Sequence, residues 1–263
     1  MNTLVLFALA ISPNGYVLET AASEELARFA EHEFNKGMTW RHDAATARRY
    51  FHQAARLYDT CWRRGPHGPE LAMNRANAHR LADELPQAIV ALNEGLAVAP
   101  WSRPLQMALE DARAAVGYPN IGDLAAQCRS APASGLGTRL SSADLWLILG
   151  ALCVFASLGV ARFAMTRKPG WVVFSAVFGV VLLFLGSAWL LDHQQRDQVN
   201  ELHTVVVTQD VFLRKGNSEA YPARLETKLP RGVEARKLTE RGGWVQVRLA
   251  GGVVGWLPAS SVI

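Results

Sequence analysis

Cysteine is scarce in this chain. Of 263 residues only three are cysteine, Cys61, Cys128 and Cys153, and no two stand at metal-ligand spacing. With no Cys-x-x-Cys pair, thioredoxin-like redox chemistry and the common zinc frameworks drop out. Seven histidines are present, but none lies in a His-Glu-x-x-His helix. There is no Gly-x-Ser-x-Gly elbow and no phosphate-binding glycine loop. The stretch "EHEF" at 31–34 sets acids beside His32, yet adjacent residues on a helix do not face each other. The expectation is a protein that is not an enzyme, with no cofactor and no metal site.

Blocks of like charge are also missing. The pI is 9.1 and the net charge +4, but residues 1–143 carry 14 basic and 14 acidic side chains. The excess comes from residues 193–263, with 10 basic and 7 acidic side chains, and from one short loop. A charge spread this thinly gives no footprint for nucleic acid.

Long apolar runs, by contrast, are plain. Leu145 to Ala161 reads "LWLILGALCVFASLGVA" and Trp171 to Leu191 reads "WVVFSAVFGVVLLFLGSAWLL", both without charge. A helix needs about 20 apolar residues to span a bilayer core. The second run has 21, and the first, with 17, reaches that length if Arg162 snorkels toward headgroups. Two such runs side by side are rare as core helices of soluble folds. They are read as transmembrane helices over 144–165 and 171–191, joined by a turn at 166–170.

The loop between them, "RFAMTRKPGW" at 162–171, holds Arg162, Arg167 and Lys168 and no acid. Short loops rich in Lys and Arg stay in the cytoplasm, so both flanking segments are expected outside it. The start, "MNTLVLFALAISPNG", resembles a short signal peptide with the small-x-small triplet Ala8-Leu9-Ala10, although no cation precedes it. Residues 1–20 are read as signal peptide and leader; a core-packed or unstructured start and a truncated basic region stay open. Export would leave Cys61 and Cys128 free to pair, but nothing in their spacing fixes such a bond.

From Ala21 to Tyr118 there are no alternating β-rich runs. The stretch 69–102, "PELAMNRANAHRLADELPQAIVALNEGLAVAPWS", is 34 residues long and resembles a tetratricopeptide repeat. Ala76 stands where paired helices cross, Ala78 follows, and Ala82-Asp83-Glu84-Leu85 makes the turn. Ala88 and Leu92 pack in the second helix, and Pro100 closes the unit. Ala72, His79 and Gly95 depart from the usual aromatic and small positions. Upstream, 23–37 and 43–60 read as a degenerate pair, with Phe29, Phe34, Phe51, Ala54 and Leu57 on one stripe and an insertion at "MTWRHD". Downstream, 102–115 reads as a cap with Leu105, Leu109 and Ala112 inward. Paired helices with one apolar face each need neighbours to bury it. The repeat register puts Met73, Asn77 and Arg80 on the concave, partner-binding face; the plainer reading is ordinary exposed helix positions. Residues 119–143, rich in Gly, Ser and Ala, read as a linker, and 192–203 as a second one that continues the helix briefly.

The tail 204–263 changes period. Short strands are expected at 204–208, 211–214, 233–239, 244–249 and 253–258, separated by turns at "LPRG", "RGG" and "AGG", a small all-β barrel. The run "GGWVQVRLAGGVVGWLPASSVI" resembles a bacterial SH3 domain. Val245, Val247 and Leu249 are expected in the core, leaving Trp244 on the other face, where with Pro258 it would border a ligand groove. Ser261 stands where that family usually has a groove Tyr, and the aromatic-rich first strand of proline-motif readers is absent, which counts against proline-peptide recognition. Simple barrel packing is the plainer reading of Trp244.

Taken together, the order resembles BatE proteins of the bacterial aerotolerance (Bat) operon: leader, tetratricopeptide repeats over 21–118, membrane hairpin, then an SH3-like barrel. The resemblance implies a multi-pass protein of the bacterial cytoplasmic membrane that displays two interaction domains outside the cytoplasm. It also implies association with a MoxR-type ATPase and von Willebrand A-domain membrane proteins. A wall-binding anchor or sensor, using the barrel to hold peptidoglycan, is the alternative.

Overall fold

The computed structural model describes residues 23–65, 67–119, 124–129, 142–201 and 204–263. The apolar start read as a leader, 1–20, lies outside them. Eight helices and one small antiparallel sheet make up the described chain.

Five helices come first: α1 (Ser23–Thr39), α2 (Ala44–Arg64), α3 (Pro69–Leu81), α4 (Leu85–Val98) and α5 (Arg103–Ala114). Each start has a local cause. Asp43 caps α2, its Oδ1 accepting from Ala45 N at 3.1 Å and Thr46 N at 3.4 Å. Proline in the first turn opens α3, α4 and α5, where its missing N–H costs nothing. Between α3 and α4 the chain reverses at Asp83, whose φ of 67° is a conformation that Asp tolerates better than most side chains.

Small residues let these helices approach closely. Ala30, Ala54, Ala55, Tyr58 and Ala78 form one buried cluster across α1, α2 and α3. Ala72, Ala76, Ala88 and Leu92 are buried where α3 meets α4. A Cβ on Gly95 would lie 2.5 Å from Ala72 Cβ and 3.1 Å from Leu105 Cδ1, so only glycine fits there without a shift. Phe34, Phe51, Ala54 and Leu57 follow the expected inward stripe. Phe29 does not: it is 52% exposed, and Leu26 and Ala30 fill the contact instead.

Helices α7 (Ser142–Thr166) and α8 (Gly170–Glu201) carry the apolar runs. Ala143–Thr166 has mean hydropathy 2.1 and Gly170–Leu191 2.3, and only 6% and 0% of these spans are buried. Both are long and apolar enough to cross a membrane, and neither is sheltered in a protein core. They pack on each other through small residues: Ser175 Oγ donates to Ala156 O at 2.8 Å, and a Cβ on Gly159 would come within 2.9 Å of Ser175. Phe155 and Phe178, and Trp146 and Trp189, meet ring to ring. Helix α8 continues ten residues past Leu191 to Glu201.

The sheet has order β1-β2-β3-β4, all antiparallel: β1 (Thr204–Val206), β2 (Glu234–Arg241), β3 (Trp244–Arg248) and β4 (Val254–Pro258). The segment expected as a strand at 211–214 pairs only through isolated bridges, Val211 with Leu229 and Arg214 with Ala223 and Trp256. The chain end folds back on β1, with Val206 N donating to Ile263 O at 2.8 Å and Ile263 N to Val206 O at 3.0 Å. Inside lie Val205, Val207, Leu213, Leu229, Val245, Val247, Leu249 and Leu257. This is the alternation expected for β3.

Helices and sheet share one hydrophobic core. Ile89, Leu105 and Val116 belong to the same buried cluster as Val206, Val233 and Leu257. Gly232, at φ 93°, brings the entry to β2 against Val116, Ile89 and Leu85. Helix α6 (Leu124–Cys128) completes the seam. It lies inside the stretch that composition marks as a linker, yet Leu124 and Cys128 are buried, and Gln127 O accepts from Gly251 N at 2.7 Å. Five residues are too few for a helical period to stand out against Gly- and Ser-rich neighbours.

Candidate interaction surfaces

Three surfaces and one partly buried charge network stand out. The first surface is a groove of about 420 Å³ lined by Asn77 and Arg80 of α3 and by Arg103, Pro104, Met107, Ala108 and Asp111 of α5. Asn77 and Arg80 share a face because they are three residues apart. Arg103, Met107 and Asp111 recur every fourth residue, which aligns them on the outer stripe of α5 opposite buried Leu105, Leu109 and Ala112. The structure thus brings together two of the three expected concave residues. Met73 instead packs half-buried against the hydrophobic core. The α5 contribution was missed by treating that helix as a cap, although its i, i+4, i+8 spacing was available.

The second surface is the outer face of β3 and β4. Trp244 pairs directly with Pro258, and Gln246 with Trp256. All four are partly exposed, whereas Val245 and Leu257, paired between them, are buried. Trp256 extends the expected Trp244–Pro258 pair into a strip of two indoles and a pyrrolidine. The alternation Gly255-Trp256-Leu257 was the signal for it. Gly255 is required from the other side, since any Cβ there would run into Leu213.

The third lies at the α7–α8 turn. Arg162, Arg167 and Lys168 are all exposed. Arg162 sits over the Trp171 ring at 5.9 Å, and Arg167 closes the helix at φ 53° with its N–H donating to Phe163 O at 2.8 Å.

The network joins α2, α3 and α4. His79, only 4% exposed, sets Nδ1 2.8 Å from Glu84 Oε2 and Nε2 3.2 Å from Asp59 Oδ1. Arg75 binds Asp59 at 2.5 Å and also Glu94, and His52 approaches Glu84 at 3.3 Å. Burial opposes charge on His79, but hydrogen bonds to Asp59 and Glu84 outweigh it and raise its pKa above the usual histidine value. Asp59 is likewise opposed by burial, and its bonds to His79 and Arg75 bring it below the ordinary range. Buried His79 is therefore the centre of a partly exposed ion cluster.

The cysteines are free thiols, Cys61 in α2 and Cys128 in α6 buried, Cys153 in α7 exposed. Burial pushes the Cys128 thiol up to about 11, far from a reactive thiolate. Comparison with known protein families, curated proteins and solved structures finds no match to this chain.

Proposed function

We propose that the chain is a membrane-anchored interaction scaffold. The α7–α8 hairpin tethers a tetratricopeptide-like helical unit and an SH3-like barrel, both held outside the cytoplasm of a bacterial cell. One observation carries this. Arg113 and Asn93, ahead of the two membrane-length helices, bond Glu234, which follows them. Groups that touch lie on one side of a bilayer, so the two helices cross it as a pair. The cations Arg162, Arg167 and Lys168 at the turn favour a cytoplasmic turn. The helical groove and the aromatic strip then face partners on the far side as parts of one docked body.

The resemblance to BatE proteins suggests the partners: a Bat-type assembly with von Willebrand A-domain membrane proteins and a MoxR-type ATPase. Recognition needs no chemistry from the chain itself. A second reading, in which the barrel holds peptidoglycan, draws on the partly exposed Trp244 and Trp256, since flat rings suit stacking on sugar faces.

Reporter fusions test the topology. An export-dependent enzyme fused after Gly135 or Ile263 is expected to be active, and one fused after Lys168 inactive. An active cytoplasmic reporter at Ile263 would end the hairpin reading. Sedimentation with purified sacculi separates the two roles, because a scaffold for membrane proteins stays in the supernatant.

A further inference from the structure

We propose that the groove between α3 and α5 takes an extended acidic peptide segment, its carboxylates held by Arg80 and Arg103 and an apolar side chain seated on Pro104 and Met107. The proposal rests on the scaffold reading and names the partner chemistry of its helical unit.

Pairing of the arginines is the starting observation. Arg75, Arg113 and Arg231 each bind a carboxylate of this chain. Arg80 and Arg103 bind none among the described residues, although both line the groove and both are exposed. A guanidinium matches a carboxylate in a two-pronged arrangement, and such charge-assisted bonds are among the stronger ones. Asp111 is the groove's one acid and bridges neither arginine, so the wall keeps a net positive charge.

The apolar part is equally specific. Met107 is 58% exposed, more than any other large apolar side chain described outside α7 and α8. Its unbranched thioether adapts to varied partners. Pro104 stands one turn before it in α5 and adds a rigid apolar edge. The Asn77 amide offers a donor and an acceptor, and the Asp111 carboxylate a further acceptor, suited to the N–H and C=O of an extended backbone. Acid, apolar side chain and free backbone describe a peptide. A polyanion such as nucleic acid fits poorly, because its backbone has no apolar side chain to seat on Pro104 and Met107 and no amide N–H to give to Asp111.

The experiment uses the full chain in detergent micelles and three fluorescein-labelled peptides that alternate Leu with Glu, with Gln or with Lys. Fluorescence anisotropy reads affinity. The Glu peptide is expected to bind, and the Gln and Lys peptides to bind about tenfold more weakly or worse. Arg80→Glu and Arg103→Glu should each weaken the Glu peptide about tenfold or more, with an unchanged melting temperature because both side chains are exposed. Met107→Ala should weaken it too, and Trp244→Ala should not. Equal binding of the Glu and Gln peptides, no binding of the Glu peptide, or full affinity in both arginine variants overturns the proposal. Those results leave the scaffold reading standing, because it falls on the reporter topology instead.

Discussion

Arg113 and Glu234, 121 residues apart in sequence, meet in a two-pronged ion pair, with Nε 2.5 Å from Oε2 and Nη2 3.0 Å from Oε1. Glu234 is nearly buried, its side chain 6% exposed, and takes a third bond from Asn93 Nδ2 at 2.7 Å. The pair is the most buried polar clasp in the seam between helices and sheet, which the Gly251–Gln127 backbone bond and the exposed Arg231–Asp83 pair also cross. Arg113→Ala would leave the carboxylate inside with Asn93 alone. Removing one member of a buried pair costs roughly 3–5 kcal/mol; the 27% exposure of Arg113 lets water soften this toward the lower end. Thermal and urea melts of the purified protein measure it. We expect a separate, earlier transition for the sheet unit in the variant.

The ion cluster around His79 makes stability depend on pH with a definite sign. The folded-state pKa of His79 is raised, so its contribution is fully present below the unfolded value near 6.5 and is lost as pH rises through the folded pKa. Asp59 is depressed, so its contribution is present above about 3.8 and is lost only as pH falls through its lower folded value. Between these limits the cluster is at full strength. Melting temperature should therefore fall on going from about pH 6 to about pH 8.5. His79→Gln should flatten that slope by removing the titrating group. A slope that persists unchanged in His79→Gln would assign the pH dependence elsewhere.

Gly95 tests how tightly the helices pack. Gly95→Ala raises helix propensity by about 1 kcal/mol, but its new methyl meets Ala72 Cβ at 2.5 Å. Overpacking of that kind costs roughly 1–3 kcal/mol. The substitution should lower the melting temperature despite the better propensity. Ala72→Gly in the same chain should restore part of the loss, a coupling that a double-mutant cycle reads directly.

What could be read from sequence follows the range of the interactions. The two apolar helices, α2 to α5 and the alternation Val245, Val247, Leu249 each announce themselves within a few residues, by composition or period. The seam does not. Glu234 sits at the head of "EARKLTER", where a charged residue reads as solvent-facing, and only the distant Arg113 makes its burial tolerable. Gly232 reads as a turn glycine and turns out to pack against Val116 and Ile89. Helix α6 was hidden by its length. Of the groove, α3 supplied Asn77 and Arg80 to the sequence reading, while Arg103, Met107 and Asp111 needed the helices to be placed side by side. Met73 was expected beside Arg80, but α3 turns it toward the core.

Trp244 separates a binding face from a core. Its β3 neighbours Val245 and Val247 are 2% and 0% exposed, and Leu257 opposite is 0% exposed, so the interior is filled without the indole. Trp244 stands outside, against Pro258 across the strand pair and in line with Gln246. Truncating Leu257 to Ala should cost roughly 2–5 kcal/mol and unfold a sheet this small. Trp244→Ala removes a partly exposed side chain, which loses packing against Pro258 but opens no internal cavity. Its cost should be nearer 1 kcal/mol, the usual scale for a point substitution. Aromatic anchors of this kind carry a large share of binding energy at protein interfaces. The variant should therefore lose any partner that docks on the strip while its near-ultraviolet circular dichroism, apart from the missing indole band, and its melting transition remain. A Trp244→Ala protein that unfolds as readily as Leu257→Ala would make the indole a structural prop and leave the strip without an anchor.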